Sequence, residues 1–166
     1  MTVGLLRQIV EDLDSVVAHD PACRHRREAL LRTPWQTLAV YRVANRWHRR
    51  GFRFAAALLS CAGRFISGME LHPAATVGRR VFIDHGFGVV VGEQSVIGDD
   101  VTLYHGVTLG SRGWWQEEHP ADRRHPTIGN RVRIGVNASI LGPVVIGDDC
   151  VIRAHELVLS DRKKED

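Results

Sequence analysis

The side chains in this sequence best suited to chemistry lie in two short stretches. In Phe82-Ile83-Asp84-His85-Gly86 an imidazole directly follows a carboxylate, and in Arg124-His125-Pro126 a guanidinium precedes a second imidazole. Imidazole titrates near neutrality, so it can take a proton from a hydroxyl as that oxygen attacks a carbonyl. A lone histidine in a turn is often no more than exposed, and it is the combination of Asp84 beside His85 with the distant Arg124-His125-Pro126 that favours a general base. Histidines 85, 105, 119 and 125 also raise a three-histidine zinc site, but the spacing of His119 and His125 suits a loop ending in Arg-His-Pro equally well. Tyr104, His105, Trp114 and Trp115 have weaker claims, corner packing or loop anchoring accounting for them at least as well. Arg123 reads as a solvated loop charge.

Two halves with different periods must position these groups. Up to residue 68 the pattern is helical: Leu5, Leu6, Ile9, Val10, Leu13, Val16 and Val17 recur at three- and four-residue steps, and Asp20-Pro21 stops the run. Thr33-Pro34-Trp35-Gln36 predicts a helix start, with Thr33 as N-cap and Gln36 closing a capping box. That helix carries Leu38, Tyr41, Arg42, Ala44 and Trp47 and ends near Gly51. A last helix from about Arg53 to Ile66 is apolar on most sides, which suits burial against other subunits.

From Leu71 the period is six. Aliphatic residues stand at Leu71, Val77, Ile83 and Val89 and, after a slip of two, at Val91, Ile97, Leu103 and Leu109. The series resumes at Ile128, Ile134, Ile140, Ile146, Ile152 and Val158. Small or apolar residues stand two positions earlier, and glycine often follows. A fixed six-residue unit is the mark of a solenoid, three units to a triangular coil, whereas sandwich strands recur at about eight to twelve residues. The expected architecture is α+β: a helical N-terminal subdomain over residues 1–68, then a parallel β-helix of hexapeptide repeats over 69–166, with an extruded loop at 110–127.

The hexads, with Phe82 to Glu93, Asp99 to Gly110, Arg123-Arg124-His125-Pro126-Thr127-Ile128-Gly129 and the distant Asp20-Pro21-Ala22, resemble the serine O-acetyltransferase branch of the hexapeptide-repeat acyltransferases. The related pattern Tyr41-Arg42-Val43-Ala44 extends the resemblance through the helical half. It implies a left-handed β-helix, three of which form a homotrimer, with dimers of trimers also open, and active sites between neighbouring subunits. The implied activity is transfer of acetyl from acetyl-CoA to the hydroxyl of L-serine, giving O-acetylserine for cysteine biosynthesis, with no metal. His85 corresponds to the general base and Glu70, fifteen residues earlier, to the carboxylate that orients it. Asp20, Pro21, Asp84, Arg124 and His125 correspond to the amino-acid site, where carboxylates suit an ammonium and Arg124 can fork onto a carboxylate. His125 can also donate to the oxyanion of the tetrahedral intermediate. Gly110, Ser111, Val136, Asn137 and Ala154 correspond to the acetyl-CoA groove.

The last coil departs from the family. Arg153-Ala154-His155-Glu156 stands where Gly-Ala-Gly-Ser is usual, and Glu156 falls in a small or apolar slot, where an unpaired carboxylate would be costly. Weak or shifted CoA binding is therefore expected, and the acidic end Glu165-Asp166 gives no reason to expect a stable sulfhydrylase complex. The alternatives in view are the same chemistry on another amino acid or acyl donor, a relative impaired in CoA binding, and a zinc lyase on the same fold. Composition narrows the partners: 22 Lys and Arg against 19 Asp and Glu give a net charge of +3 without a concentrated basic face, so nucleic acid is not expected. Three scattered cysteines without a CxxC, no visible leader and no apolar run long enough to span a bilayer make the cytoplasm the expected compartment.

Overall fold

The computed structural model describes residues 4–113 and 123–164. Trp114, Trp115, His119 and the pair Glu165-Asp166 lie outside the described residues. Among the described residues four helices come first: α1 (Leu5–His19), α2 (Arg26–Ala29), α3 (Thr33–Arg49) and α4 (Arg53–Ser67). Asp20 leaves helical space at φ −93° and ψ 105°, as the residue before a proline should. On α1 the buried apolar residues are Leu13 and Val16, packed with Cys23, Ala29 and Phe82, whereas Leu6 and Val10 of the expected stripe are exposed. The start of α3 also differs from expectation. Arg32 is the cap residue with no side-chain cap, and Gln36 donates to the Leu30 carbonyl instead of closing a capping box. α4 ends at Gly68, whose φ of 66° suits glycine and whose face is covered by the Phe87 ring.

Among the described residues thirteen short strands follow, stacked in three parallel faces. Face A holds β1 (Glu70–Leu71), β4 (Val90–Val91), β7 (Thr108–Gly110), β10 (Ser139–Leu141) and β13 (Leu157–Val158). Face B holds β2 (Thr76–Val77), β5 (Val96–Ile97), β8 (Thr127–Ile128) and β11 (Val145–Ile146). Face C holds β3 (Phe82–Asp84), β6 (Thr102–Tyr104), β9 (Arg133–Ile134) and β12 (Val151–Ile152). The aliphatic of each hexad points inward and is buried, giving a stacked core from Leu71 to Val158. The corner slots are filled by Val81, Val89, Ser95, Val101, Val107, Val132, Ala138, Val144 and Cys150.

Register locates the breaks in the repeat. Between the fourth and fifth coils Ser139 faces Leu157, an offset of one standard coil, but Phe82 faces Thr102, two residues more. The two extra residues fall at the corner after Asp84, so the slip in the hexad count is the corner that carries His85. A larger insertion separates Thr108 from its partner Ser139 and corresponds to the interrupted stretch after Gly110.

Helix α3 closes the first coil. A solenoid end leaves strand carbonyls without a further coil to receive them, and buried carbonyls need donors. Tyr41 Oη donates to the Ala75 carbonyl at 2.6 Å, and Asn45 Nδ2 to the carbonyls of Pro73 and Ala75 at 2.8 and 3.0 Å. Arg42 donates to the Val77 and Gly78 carbonyls while its Nε and Nη2 reach the Asp12 carboxylate of α1 at 2.9 and 3.2 Å. Both charges are almost wholly buried, at 4% and 1% exposure. Nearer the surface, Arg79 of the first coil pairs with Glu11 of α1, and those hydrogen bonds hold the Glu11 carboxyl down at about 2.

Removing either pair has a measurable cost. Arg42→Ala strands the Asp12 carboxylate and two carbonyls, and is expected to cost about 3–5 kcal/mol in urea unfolding, with the double replacement Asp12→Leu, Arg42→Met recovering most of it. Because the Glu11 pKa is depressed in the folded state, its contribution is complete above the ordinary value of 4.5 and is lost as pH falls toward 2. Glu11→Gln should therefore flatten that part of the acid-unfolding curve.

Candidate active site

The corner from face C to face A carries Asp84 and His85 and, higher up, three of the residues predicted for the groove. Asp84 pairs with Tyr104 across the coils, so His105 stands one coil above His85. Above them the Asn137 amide donates to the His105 carbonyl, and the His155 amide to the Val136 carbonyl. His85, His105, Val136-Asn137 and Ala154-His155 thus form one column. His85, Asn137 and His155 adopt positive φ of 60°, 56° and 60°. For a non-glycine residue this is an uncommon backbone, tolerated best by Asn, and at His85 it turns the ring outward from the coil. The His85 side chain is 77% exposed.

The helical half brings its own residues to this corner. A cleft of about 480 Å³ is lined by Asp20, Pro21, Arg32, Pro34, Asp84 and His85, among others. Four sequence-predicted residues, two from the turn after α1 and two from the first coil, therefore share one site. Asp20 is fixed there by two contacts: one oxygen accepts the Ala22 amide at 2.8 Å and the other faces Arg32 at 3.1 Å. Asp84 lies 3.8 Å from His85 Nε2, an ion-pair distance beyond hydrogen bonding.

Other predicted residues stand elsewhere in the chain. Arg124 and His125 occupy the corner from face A to face B, where the Arg124 side chain pairs with Glu93 at 3.1 Å and its amide donates to Gln94. His125 is buried over Gly92. Glu70 lies on the outer side of β1 and pairs with Arg64 at 3.0 Å; it makes no hydrogen bond or ion pair with His85 among the described residues. Gly110 ends β7 and Ser111 follows it at the same A-to-B corner, and Arg112 beside them donates to the Leu141 and Leu159 carbonyls. The groove residues are thus divided, Val136, Asn137 and Ala154 on the His85 column and Gly110 and Ser111 on the opposite edge of face A. Within one chain the predicted residues therefore fall into two groups.

The last coil folds with its unusual residues at the surface. Glu156 is partly exposed rather than trapped: its carboxylate accepts the Arg153 amide at 3.0 Å and faces Arg162 at 3.5 Å. Arg162 adds a parallel bridge to Ile146 and so extends face B. Among the described residues no three His, Cys, Asp or Glu side chains are grouped to hold a metal, and no helix is long and apolar enough to cross a membrane. Sequence reasoning missed Arg32, which gave no signal beyond its place before Thr33-Pro34, and the ring contact between His105 and His85, visible only once the two-residue slip is assigned to the His85 corner.

Comparison with known proteins places this geometry. Residues 125–155 match the family described as bacterial transferase hexapeptide (six repeats). A serine acetyltransferase of Helicobacter pylori is 51% identical over 150 residues, covering 90% of this chain and 85% of that protein. The serine acetyltransferase of Neisseria gonorrhoeae crystallised in complex with serine is 34% identical and superposes with a TM-score of 0.87 over 95% of this chain. That of Brucella abortus in complex with coenzyme A is 32% identical, with a TM-score of 0.87 over 94%. The chain spans 63% and 61% of the length of those two crystallised chains. The β-helix is accordingly of the left-handed parallel kind.

The packing of His125 against Gly92 can be tested directly. A Cβ added at Gly92 would overlap the His125 ring, while the backbone there is not in left-handed space, so Gly92→Ala acts through contact alone. The variant is expected to remain folded, lose about 1–3 kcal/mol, and shift the His125 imidazole resonances in NMR spectra while leaving those of His85 in place.

Proposed function

The chain belongs to the serine acetyltransferase family, and on that premise we propose that it transfers acetyl from acetyl-CoA to the hydroxyl of L-serine, giving O-acetylserine for cysteine biosynthesis. The observation that carries this reading is the single cleft in which Asp20, Asp84 and His85 meet. Two carboxylates and an imidazole suit an amino acid whose ammonium is held while its hydroxyl is deprotonated. His85 takes the proton from the serine oxygen as that oxygen bonds to the thioester carbon. The C–S bond then breaks, and the proton passes from the imidazolium to the departing thiolate. The relatives crystallised with serine and with coenzyme A support this choice of substrates.

Arg124 and His125 then bind the substrate carboxylate and the oxyanion from the neighbouring subunit. In one chain they stand on the other edge of face A from His85, and a threefold assembly in which one chain's A-to-B corner meets the next chain's C-to-A corner closes the site. The same packing joins Gly110 and Ser111 of one chain to Val136, Asn137 and Ala154 of the next as the acetyl-CoA groove. Phe54, Leu58, Phe65 and Ile66 of α4 are exposed in the single chain and suit burial in a homotrimer or a dimer of trimers. Glu70 can orient the His85 ring by leaving Arg64, since solvent screens an exposed pair of that kind and leaves it weak. A cytoplasmic location fits this role.

Thiol release from acetyl-CoA in the presence of L-serine tests the reading. His85→Ala is expected to lower kcat about a hundredfold to ten-thousandfold with the assembly intact. Arg124→Lys should raise KM for serine, since an ammonium lacks the two-point planar contact, and ethanolamine should be a poor acceptor. Equal turnover of ethanolamine and serine by the wild type would contradict the amino-acid site. Replacing Arg153, His155 and Glu156 by Gly, Gly and Ser is expected to tighten the CoA dissociation constant, because two exposed side chains leave the column and glycine relieves the positive φ at residue 155.

A further inference from the structure

His85 is an unusual base in its resting surroundings. Its ring is largely exposed, its carboxylate neighbour Asp84 is beyond hydrogen-bond distance, and Glu70 is engaged with Arg64. Among the described residues its ring meets that of His105, one coil higher, at 5.9 Å between centroids and 80° between planes. An edge-to-face pair of this kind is directional, because a ring edge carrying partial positive charge meets a π face carrying partial negative charge.

His105 is itself well fixed. It follows the last residue of β6, its carbonyl accepts the Asn137 amide at 3.0 Å, and the next amide, that of Gly106, donates to the Phe87 carbonyl at 2.9 Å. Those bonds bracket the His85 corner from above, since Phe87 belongs to the two-residue expansion that carries His85. The fold makes no use of the His105 imidazole Nδ1, which is buried and takes no hydrogen bond among the described residues. What the His105 side chain does contribute is its ring, set edge to face against that of His85.

We propose that His105 is a positioning residue for His85: its ring, carried on a hydrogen-bonded backbone one coil above, holds the base in the orientation that faces the Asp20 and Asp84 cleft. The proposal rests on the reading of His85 as the general base. It concerns the ring of His105 rather than its nitrogens, and that distinction makes it testable. His105→Phe keeps a ring that can meet His85 edge to face, while His105→Ala removes it.

Two readouts apply to each variant: the ring-current-shifted imidazole resonances of His85 in NMR spectra, and kcat and KM for L-serine with acetyl-CoA. In His105→Ala the His85 resonances should move toward random-coil positions and kcat should fall about three- to tenfold with KM for serine little changed, the range expected from loss of one aromatic pair. His105→Phe should keep an upfield-shifted His85 signal and restore kcat. Should the alanine variant fail to fold, His105→Gln, which has polar atoms but no ring, takes its place with the same expectation. An unchanged His85 signal and kcat without the ring would overturn the proposal. So would a phenylalanine variant as slow as the alanine one despite a retained His85 signal, since His105 would then act through its nitrogen. If the wild type failed to acetylate serine, the reading of His85 as base would fall, and the NMR comparison would still decide whether His105 orders the His85 ring.

Discussion

The buried pair between Arg42 and Asp12 is the joint on which the rest of the molecule hangs. A β-helix cannot simply begin, because its first coil presents carbonyls that no lower coil will meet. Here α3 meets them through Tyr41, Arg42 and Asn45. Arg42 can be buried only because Asp12 of α1 neutralises it and the Val77 and Gly78 carbonyls take its remaining donors. A buried ion pair is a weak source of net stability, but its geometry tolerates little displacement. That fixes α1 against the first coil, and the end of α1 is the Asp20 turn in the cleft with His85. The joint that closes the solenoid also sets where the Asp20 carboxylate stands relative to His85.

On the proposed function, the chemistry lies where the repeat is broken. Regular coils of eighteen residues bury their aliphatic residues and present corners of a common shape. The two extra residues after Asp84 enlarge one such corner and push His85 outward at positive φ. The larger insertion before Thr127 delivers Arg124 and His125 to the other edge of face A. The opposite corner, from face B to face C, shows what an undisturbed column does: Arg80 pairs with Asp100 and Arg131 with Asp149, all four at positive φ, in an ionic ladder that serves the fold.

Much of this could be read from the chain alone, and the physical reason is periodicity. A six-residue repeat of buried aliphatic residues has one simple solution, so the stacked core from Leu71 to Val158 was legible residue by residue. The helices were legible in extent but less so in orientation. Leu6 and Val10 belong to the apolar stripe of α1 yet remain exposed, because the face of α1 turned inward is dictated by Asp12 and its buried partner. Short-range cap rules also failed at Thr33, where Arg32 turns toward Asp20 and Gln36 reaches Leu30. At the site, sequence identified residue types and left their grouping open. Nothing in the spacing of Glu70 and His85 says that Arg64 will hold the carboxylate, and nothing in the order of the corner residues separates His105 from Tyr104.

On the function proposed above, each active site is made from two chains, with His85 and the Asp20 cleft from one and Arg124 with His125 from its neighbour. Subunit exchange tests this most directly. The variants His85→Ala and Arg124→Ala are each prepared alone, then mixed, dissociated and reassembled. If the halves come from different chains, the mixture regains activity that neither parent has, up to about a quarter of the wild-type value for random assembly, since one interface in four joins an intact His85 to an intact Arg124. A mixture that forms hybrid assemblies, verified by mass, and stays as inactive as its parents would contradict the shared site.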